Sequence, residues 1–200
     1  TLHSGIGKII SHIKTKYPKY HVAVLTNSTL LWKKEVRDSL LMADSVIPSL
    51  DAVSGEIFSR MLRPAPGVTP ELLLEGLFAF AKEYTGSLPT GCRSVHTADL
   101  IETSCLSRQA DILSAHVQKT RSLLIEVFLI PGLNDTEPEL EKIKKICTAL
   151  APASVQLNSL DRPGTESWVR PVPVERLLEI KEFFSPLNVT IAMRLTGKGM

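Results

Sequence analysis

The chain has 200 residues, 44% hydrophobic and 22% charged, with 23 basic against 21 acidic side chains. That length suits one domain with a sizeable core, and the near-balance of charge argues against a global field that draws the chain to nucleic acid or membrane. No apolar run reaches the ~20 residues of a bilayer span and the given residues show no secretory signal pattern; with three cysteines lacking framework spacing, a cytoplasmic protein is expected.

The chain opens at Thr1 and runs straight into helix-like sequence, so the expectation is a piece of a longer protein. Ser4 is placed to cap a helix whose Ile6, Ile9, Ile10 and Ile13 fall on one face. The β-branched run HVAVLTN (21–27) follows, then a helix around Lys34–Met42 and the apolar run SVIPSL (45–50). TPELLLEGLFAFAKEY (69–84) predicts a helix with Thr69 as N-cap and Pro70 at its first position. LLIEVFLIPG (123–132) reads as the next strand, and Thr136 and Glu139 have capping-box spacing ahead of another helix. SVQLNSL (154–160), a helix near 174–184 and NVTIA (188–192) complete the series. Apolar strands alternating with amphipathic helices predict a parallel sheet covered by helices.

One connection is too long for a single βα unit. Residues 86–122 are rich in Ser, Thr and His with weak periodicity, and read as an insertion, helical near 106–118 or loosely ordered. Limited proteolysis would test that reading. The rest divides into 1–85 and 123–193, with 194–200 as a tail.

Successive strands end in small polar residues: Thr26, Asn27 and Ser28; Ser49 and Asp51; Asn134 and Asp135 in the following loop; and Asn158, Asp161 and Arg162. In a parallel α/β sheet or barrel these ends share one face, where ligands bind. The alternative is that each residue merely caps the helix after it. Four consecutive strand ends with the habit favour a polar ligand held across them.

PSLDAVSGEIFSRMLRP resembles the SLDA stretch of radical S-adenosylmethionine (radical SAM) enzymes, in the branch of the molybdenum-cofactor cyclase and wyosine-related proteins. TLH resembles the end of that family's Gly-Glu-Pro-Thr motif, LTNS its Thr-Asn motif, LIPGLND its Gly-x-Asn-Asp element, and VQLNSLDRPGTESWVRPV its sixth-strand region. The resemblance implies an α/β fold, a partial parallel (β/α)6 TIM-like barrel. It also implies S-adenosylmethionine and a [4Fe-4S] cluster as cofactors, the chemistry being the cofactors' and the orientation the protein's. An electron donor such as ferredoxin or flavodoxin, and a small-molecule, peptide or tRNA-base substrate, follow from the same likeness. It makes Ser49 a cofactor contact and sets Asp51 near the ribose. It puts Thr26 and Asn27 on the cofactor face, and Asn158 and Leu160 against adenine or methionine. Arg162 is read as a substrate anion clamp or a surface ion pair, and Asn134 as a substrate contact.

The chain departs from the family in one respect: it has no Cys-x-x-x-Cys-x-x-Cys, so it is expected to be inactive alone. Cys92, His96, Cys105 and His116 are zinc-type ligands without knuckle spacing, and Cys147 is read as core. Lys8, Lys14, Lys16 and Lys19 are read as a solvated helix face without interleaved aromatics, phosphate contact being the alternative. Trp32 and Trp168 either stack a base or pack, and LRPAPG (62–67) is a lid or a connector. Two rival functions stay open: an iron-independent α/β-barrel lyase or hydrolase with Asp51 or Glu126 as base, and a non-catalytic binding module.

Overall fold

A computed structural model describes residues 3–86, 121–162 and 164–192. The expected insertion lies almost wholly outside the described residues, together with Cys92, His96, Cys105 and His116, the helix expected near 106–118, and the tail.

In chain order the elements are α1 (Ile6–Lys16), β1 (Ala23–Thr26), α2 (Lys34–Leu40), β2 (Ser45–Pro48), α3 (Gly55–Leu62), α4 (Pro70–Thr85), β3 (Ser122–Phe128), α5 (Glu137–Leu150), β4 (Ser154–Asn158), α6 (Val174–Phe183) and β5 (Val189–Ala192). The five strands are parallel and lie in sequence order, β1-β2-β3-β4-β5. Parallel crossovers are right-handed almost without exception. When each steps to the next strand in the same direction, all the helices fall on one side, and the sheet curls around the other as in a barrel wall. A doubly wound sheet would reverse its strand order instead.

Burial follows from this. Val24, Val46, Ile125, Val127, Val155, Leu157 and Val189 point at the helices and are buried. The alternate residues face away: Leu25 is 64% exposed, and Ile47, Leu124, Glu126, Phe128, Gln156 and Asn158 are partly exposed. A helix-covered sheet is what the apolar strands predict. Among the described residues one face is covered and the other is open.

Local chemistry explains most boundaries. Thr69 caps α4 as expected, its hydroxyl accepting the Leu72 N–H at 3.3 Å. Gly76 lets α4 ride on the Leu31–Trp32 backbone, where a Cβ would lie 2.2 Å from the Trp32 nitrogen. Two expected caps do not form. Gly5 is the N-cap of α1 in place of Ser4, with no side-chain hydrogen bond. At α5 Thr136 is the N-cap, again without a side-chain bond. Glu139 turns instead to α3, a helix the periodicity reading passes over. It is 1% exposed and accepts the Val53 and Ser54 N–H groups at 2.5 and 2.9 Å and the Ser54 hydroxyl. A side chain from one helix thus satisfies orphan donors at the start of another.

At the other end of the strands, Asp44 accepts Lys14 at 2.6 Å and the Val22 N–H at 2.8 Å. Lys14 therefore does not belong to the solvated patch expected for it. Cys147 is buried in the core, as its helical position predicts, and burial pushes its thiol up to about 12.

Candidate functional site at the strand tips

The polar centre of the open face is Glu126, an acid in the middle of an otherwise apolar strand. Its Oε2 accepts the Ser49 hydroxyl at 3.2 Å and its Oε1 accepts the Asn158 amide at 2.9 Å. Register produces this row. Ser49 bridges Glu126 just past the end of β2, and Asn158 pairs with Phe128, so the three side chains from β2, β3 and β4 share a face. Asn158 is itself oriented by the Ser159 N–H, which its Oδ1 accepts at 2.9 Å. Each carboxylate oxygen retains a lone pair, and the Asn158 amide retains a second N–H. The row is assembled but not closed.

The sheet also shows why β2 stops at small polar residues. Leu50 N–H donates to the Glu126 carbonyl at 2.8 Å, continuing the ladder. The next donor, Phe128 N–H, goes at 2.8 Å to the Asp51 Oδ1. A side-chain carboxyl thus takes the place of a ladder carbonyl. Burial raises the Asp51 carboxyl from 3.8 to about 7; the Phe128 hydrogen bond opposes this, and the neighbouring Glu126 charge adds to it.

The other expected site residues separate clearly. Asn27 shares the register of Ser49 and is exposed, its Oδ1 accepting the Thr29 hydroxyl at 2.9 Å. Leu160 is partly exposed just past β4, in a segment anchored by the Val172 N–H on the Ser159 hydroxyl at 2.8 Å. Arg162 is exposed and makes no ion pair among the described residues. Thr26 has the strand parity of Val24, so its side chain packs into the helix-covered layer away from Ser49. Asn134, expected as a substrate contact, is 0% exposed. Its Oδ1 accepts the Ile130 N–H at 2.7 Å, and its amide donates to the Asp51 and Phe128 carbonyls at 2.8 and 2.7 Å. It brackets the loops after β2 and β3 and does not line the open face.

Two contributors stand outside the expected contact set. Glu126 links the row; its sequence signal is a lone acid inside LLIEVFL, which by itself reads as a possible base. Ser28 is buried in the left-handed region at φ 66, its hydroxyl donating to the Ser49 carbonyl at 2.7 Å. Nothing short of the tertiary pairing of β1 with β2 would reveal that contact. Trp168 is exposed and bonds Glu166, which also pairs with Arg63 at the end of α3. LRPAPG runs from the last residue of α3 into the connection to α4.

Comparison with solved structures places this architecture. A domain of a pyruvate-formate lyase-activating enzyme from Bacteroides vulgatus superposes with TM-score 0.59 at 17% identity, over 94% of this chain and 91% of that one. A radical SAM methyltransferase from Sphaerobacter thermophilus gives TM-score 0.56 at 16% identity, over 92% of this chain and 45% of that one. SuiB of Streptococcus suis, solved bound to S-adenosylmethionine, gives TM-score 0.57 at 10% identity, over 94% of this chain and 35% of that one. The chain therefore has an α/β fold of parallel strands and helices resembling a partial radical SAM barrel.

Sequence relatives are more specific. A UPF0026 protein of Methanocaldococcus jannaschii is 24% identical over 88% of this chain and 44% of its own length, and one from Helicobacter pylori strain J99 is 26% identical over 99% and 52%. A protein named GTPase Obg from Brachyspira hyodysenteriae is 28% identical over 92% of this chain and 22% of its own length. The chain thus spans about half or less of the curated relatives it matches. No protein-family model matches the chain.

Proposed function

We propose that this chain binds S-adenosylmethionine across the tips of β2, β3 and β4, as the cofactor-holding part of a radical SAM-type protein. The observation that carries the reading is the Ser49–Glu126–Asn158 row on the open face of a barrel-like sheet. Its donor set suits the ligand. Carboxylate oxygens with spare lone pairs accept ribose hydroxyls and stand opposite the positive sulfonium, while the Asn158 amide supplies a hydrogen-bond donor. Asn27 offers a second exposed amide, and Leu160 a partly exposed apolar surface for adenine. Asp51 orders the rim beside them. The bound cofactor would supply the reactive sulfonium; the residues of this chain hold and orient it.

The likeness also implies a [4Fe-4S] cluster, and the described residues do not fit one. They contain no group of three or more Cys, His, Asp or Glu arranged to hold a metal ion. The one described cysteine, Cys147, is a core residue on α5 with its thiol held protonated.

Calorimetric titration with S-adenosylmethionine, and with S-adenosylhomocysteine as a neutral-sulfur control, tests the proposal. Saturable binding is expected, tighter for the sulfonium and weaker by about tenfold in Asn158→Ala, which removes a hydrogen bond to a charged group. Wild-type affinity in both Ser49→Ala and Asn158→Ala, or no binding by a folded wild-type chain, would remove the site.

The Asp51 carboxyl at about 7 favours one further reading, general acid–base catalysis by a barrel lyase or hydrolase. In that case activity needs neither iron nor S-adenosylmethionine, and it follows a pH profile that Asp51→Asn abolishes.

A further inference from the structure

A second surface lies at the opposite end of the strands, before β1. We infer that the C-terminal turn of α1 and the loop after it bind single-stranded nucleic acid, lysines taking the phosphates and two tyrosine rings the bases. Residues 1–34 contain six lysines and three histidines and no acidic residue. Lys14 is committed to Asp44 and Lys34 to Asp38. Lys8, His12 and Lys16 are exposed and recur at intervals of four, which places them on one stripe of α1. None of Lys8, Lys16 and Lys19 has an acidic partner among the described residues.

The aromatic component comes from a turn. Tyr17 ends α1, and its carbonyl accepts the Tyr20 N–H at 3.0 Å across Pro18 and Lys19. This tight turn brings the two rings to 6.3 Å between centroids at 63°. The His12 ring sits 6.5 Å from Tyr17, and the Lys19 ammonium is 5.3 Å from the Tyr20 centroid. Tyr17 and Tyr20 are 53% and 56% exposed. Their rings pack against one another, the His12 ring and the Lys19 ammonium, outside the core.

Aromatic rings interleaved with unpaired lysines are the combination that binds single strands, through backbone charge and base stacking. The solvated-face expectation requires that no aromatics interleave with these lysines, and Tyr17 and Tyr20 do so. Charge complementarity selects a polyanion, and exposed rings select one with planar bases. An anionic membrane is the poorer match, because a membrane-surface helix segregates its apolar face from its charges.

The site is independent of the strand tips, so its test uses the same chain with a separate readout. Fluorescence anisotropy of a short labelled single-stranded RNA should show binding that weakens with salt. Three lysines would give a log–log slope of about −2. Replacing both Lys16→Gln and Lys19→Gln should flatten that slope by about 1.4, leaving roughly −0.7. Tyr17→Ala and Tyr20→Ala should each weaken binding about fivefold or more at unchanged slope. Circular dichroism and S-adenosylmethionine titration of each variant control for folding and for the distant site. Binding to phosphatidylserine vesicles but not RNA would overturn the inference, as would competition by inorganic polyphosphate as effective as by unlabelled RNA. Full RNA affinity in the tyrosine variants would overturn it too.

Discussion

Asp51 holds a proton and a strand end together. Its carboxyl replaces a backbone carbonyl for the Phe128 N–H, in a setting that favours the neutral acid. The folded state therefore binds a proton that the unfolded chain releases at its ordinary value. Stability should fall as pH rises from 3.8 to about 7, and the loss is complete above that window. Asp51→Asn keeps an oxygen acceptor and removes the titration. Its urea midpoint should gain on the wild type across the same window; parallel curves from acid to neutral pH would contradict this. The sequence marked Ser49, Asp51 and Asn158 as polar strand ends, and the structure brings Ser49 and Asn158 onto one carboxylate with Asp51 beside it. Sequence alone offers no means of telling Asn134 from them. An asparagine that brackets two loops and one that lines the open face have the same composition and the same place after a strand. What distinguishes them is that Asn134 is fully buried with its amide oxygen and nitrogen bonded to backbone.

The helices are fastened to one another by contacts that local sequence rules assign elsewhere. Glu139 has capping-box spacing with Thr136, yet its carboxylate reaches the start of α3. Glu139→Ala leaves the part-buried N–H groups at 53 and 54 without their acceptor and should cost about 2 kcal/mol in urea unfolding. If Glu139 capped its own helix, Thr136→Ala would cost as much; the expected cost of Thr136→Ala is under ~0.5 kcal/mol, because no side-chain cap bond is lost. Gly76 makes the tightest helix-to-loop approach described. Gly76→Ala should destabilise by about 1–3 kcal/mol despite alanine's better helix propensity, since the Trp32 backbone cannot yield as a side chain can. The helix α3 was readable in part: Ile57, Phe58, Met61 and Leu62 recur at helical intervals. Its first turn follows Gly55, and its capping acceptor lies 85 residues away in sequence.

At the scale of the whole described fold, the sheet has one helix-covered face and one open face. Sequential strand order puts the helices on one side, so apolar residues of the same strand type have unequal weight. Leu157→Ala, on the covered face, should cost about 2–5 kcal/mol. Leu25→Ser, on the open face, should change stability by less than about 0.5 kcal/mol. Comparable losses in thermal or urea unfolding would mean that both faces are covered.

The sequence by itself determined the alternation of strands and helices, the parallel sheet, and the gathering of polar residues at the strand ends. Those follow from hydrophobic period and from chain chirality, which act over a few residues or one βα unit. Only the tertiary structure decided that Glu126 is shared by Ser49 and Asn158, that Thr26 and Asn134 turn away from the open face, and that Glu139 serves another helix. Each of those depends on register or on a contact between distant segments, where one step in pairing exchanges the inside and outside faces of a strand.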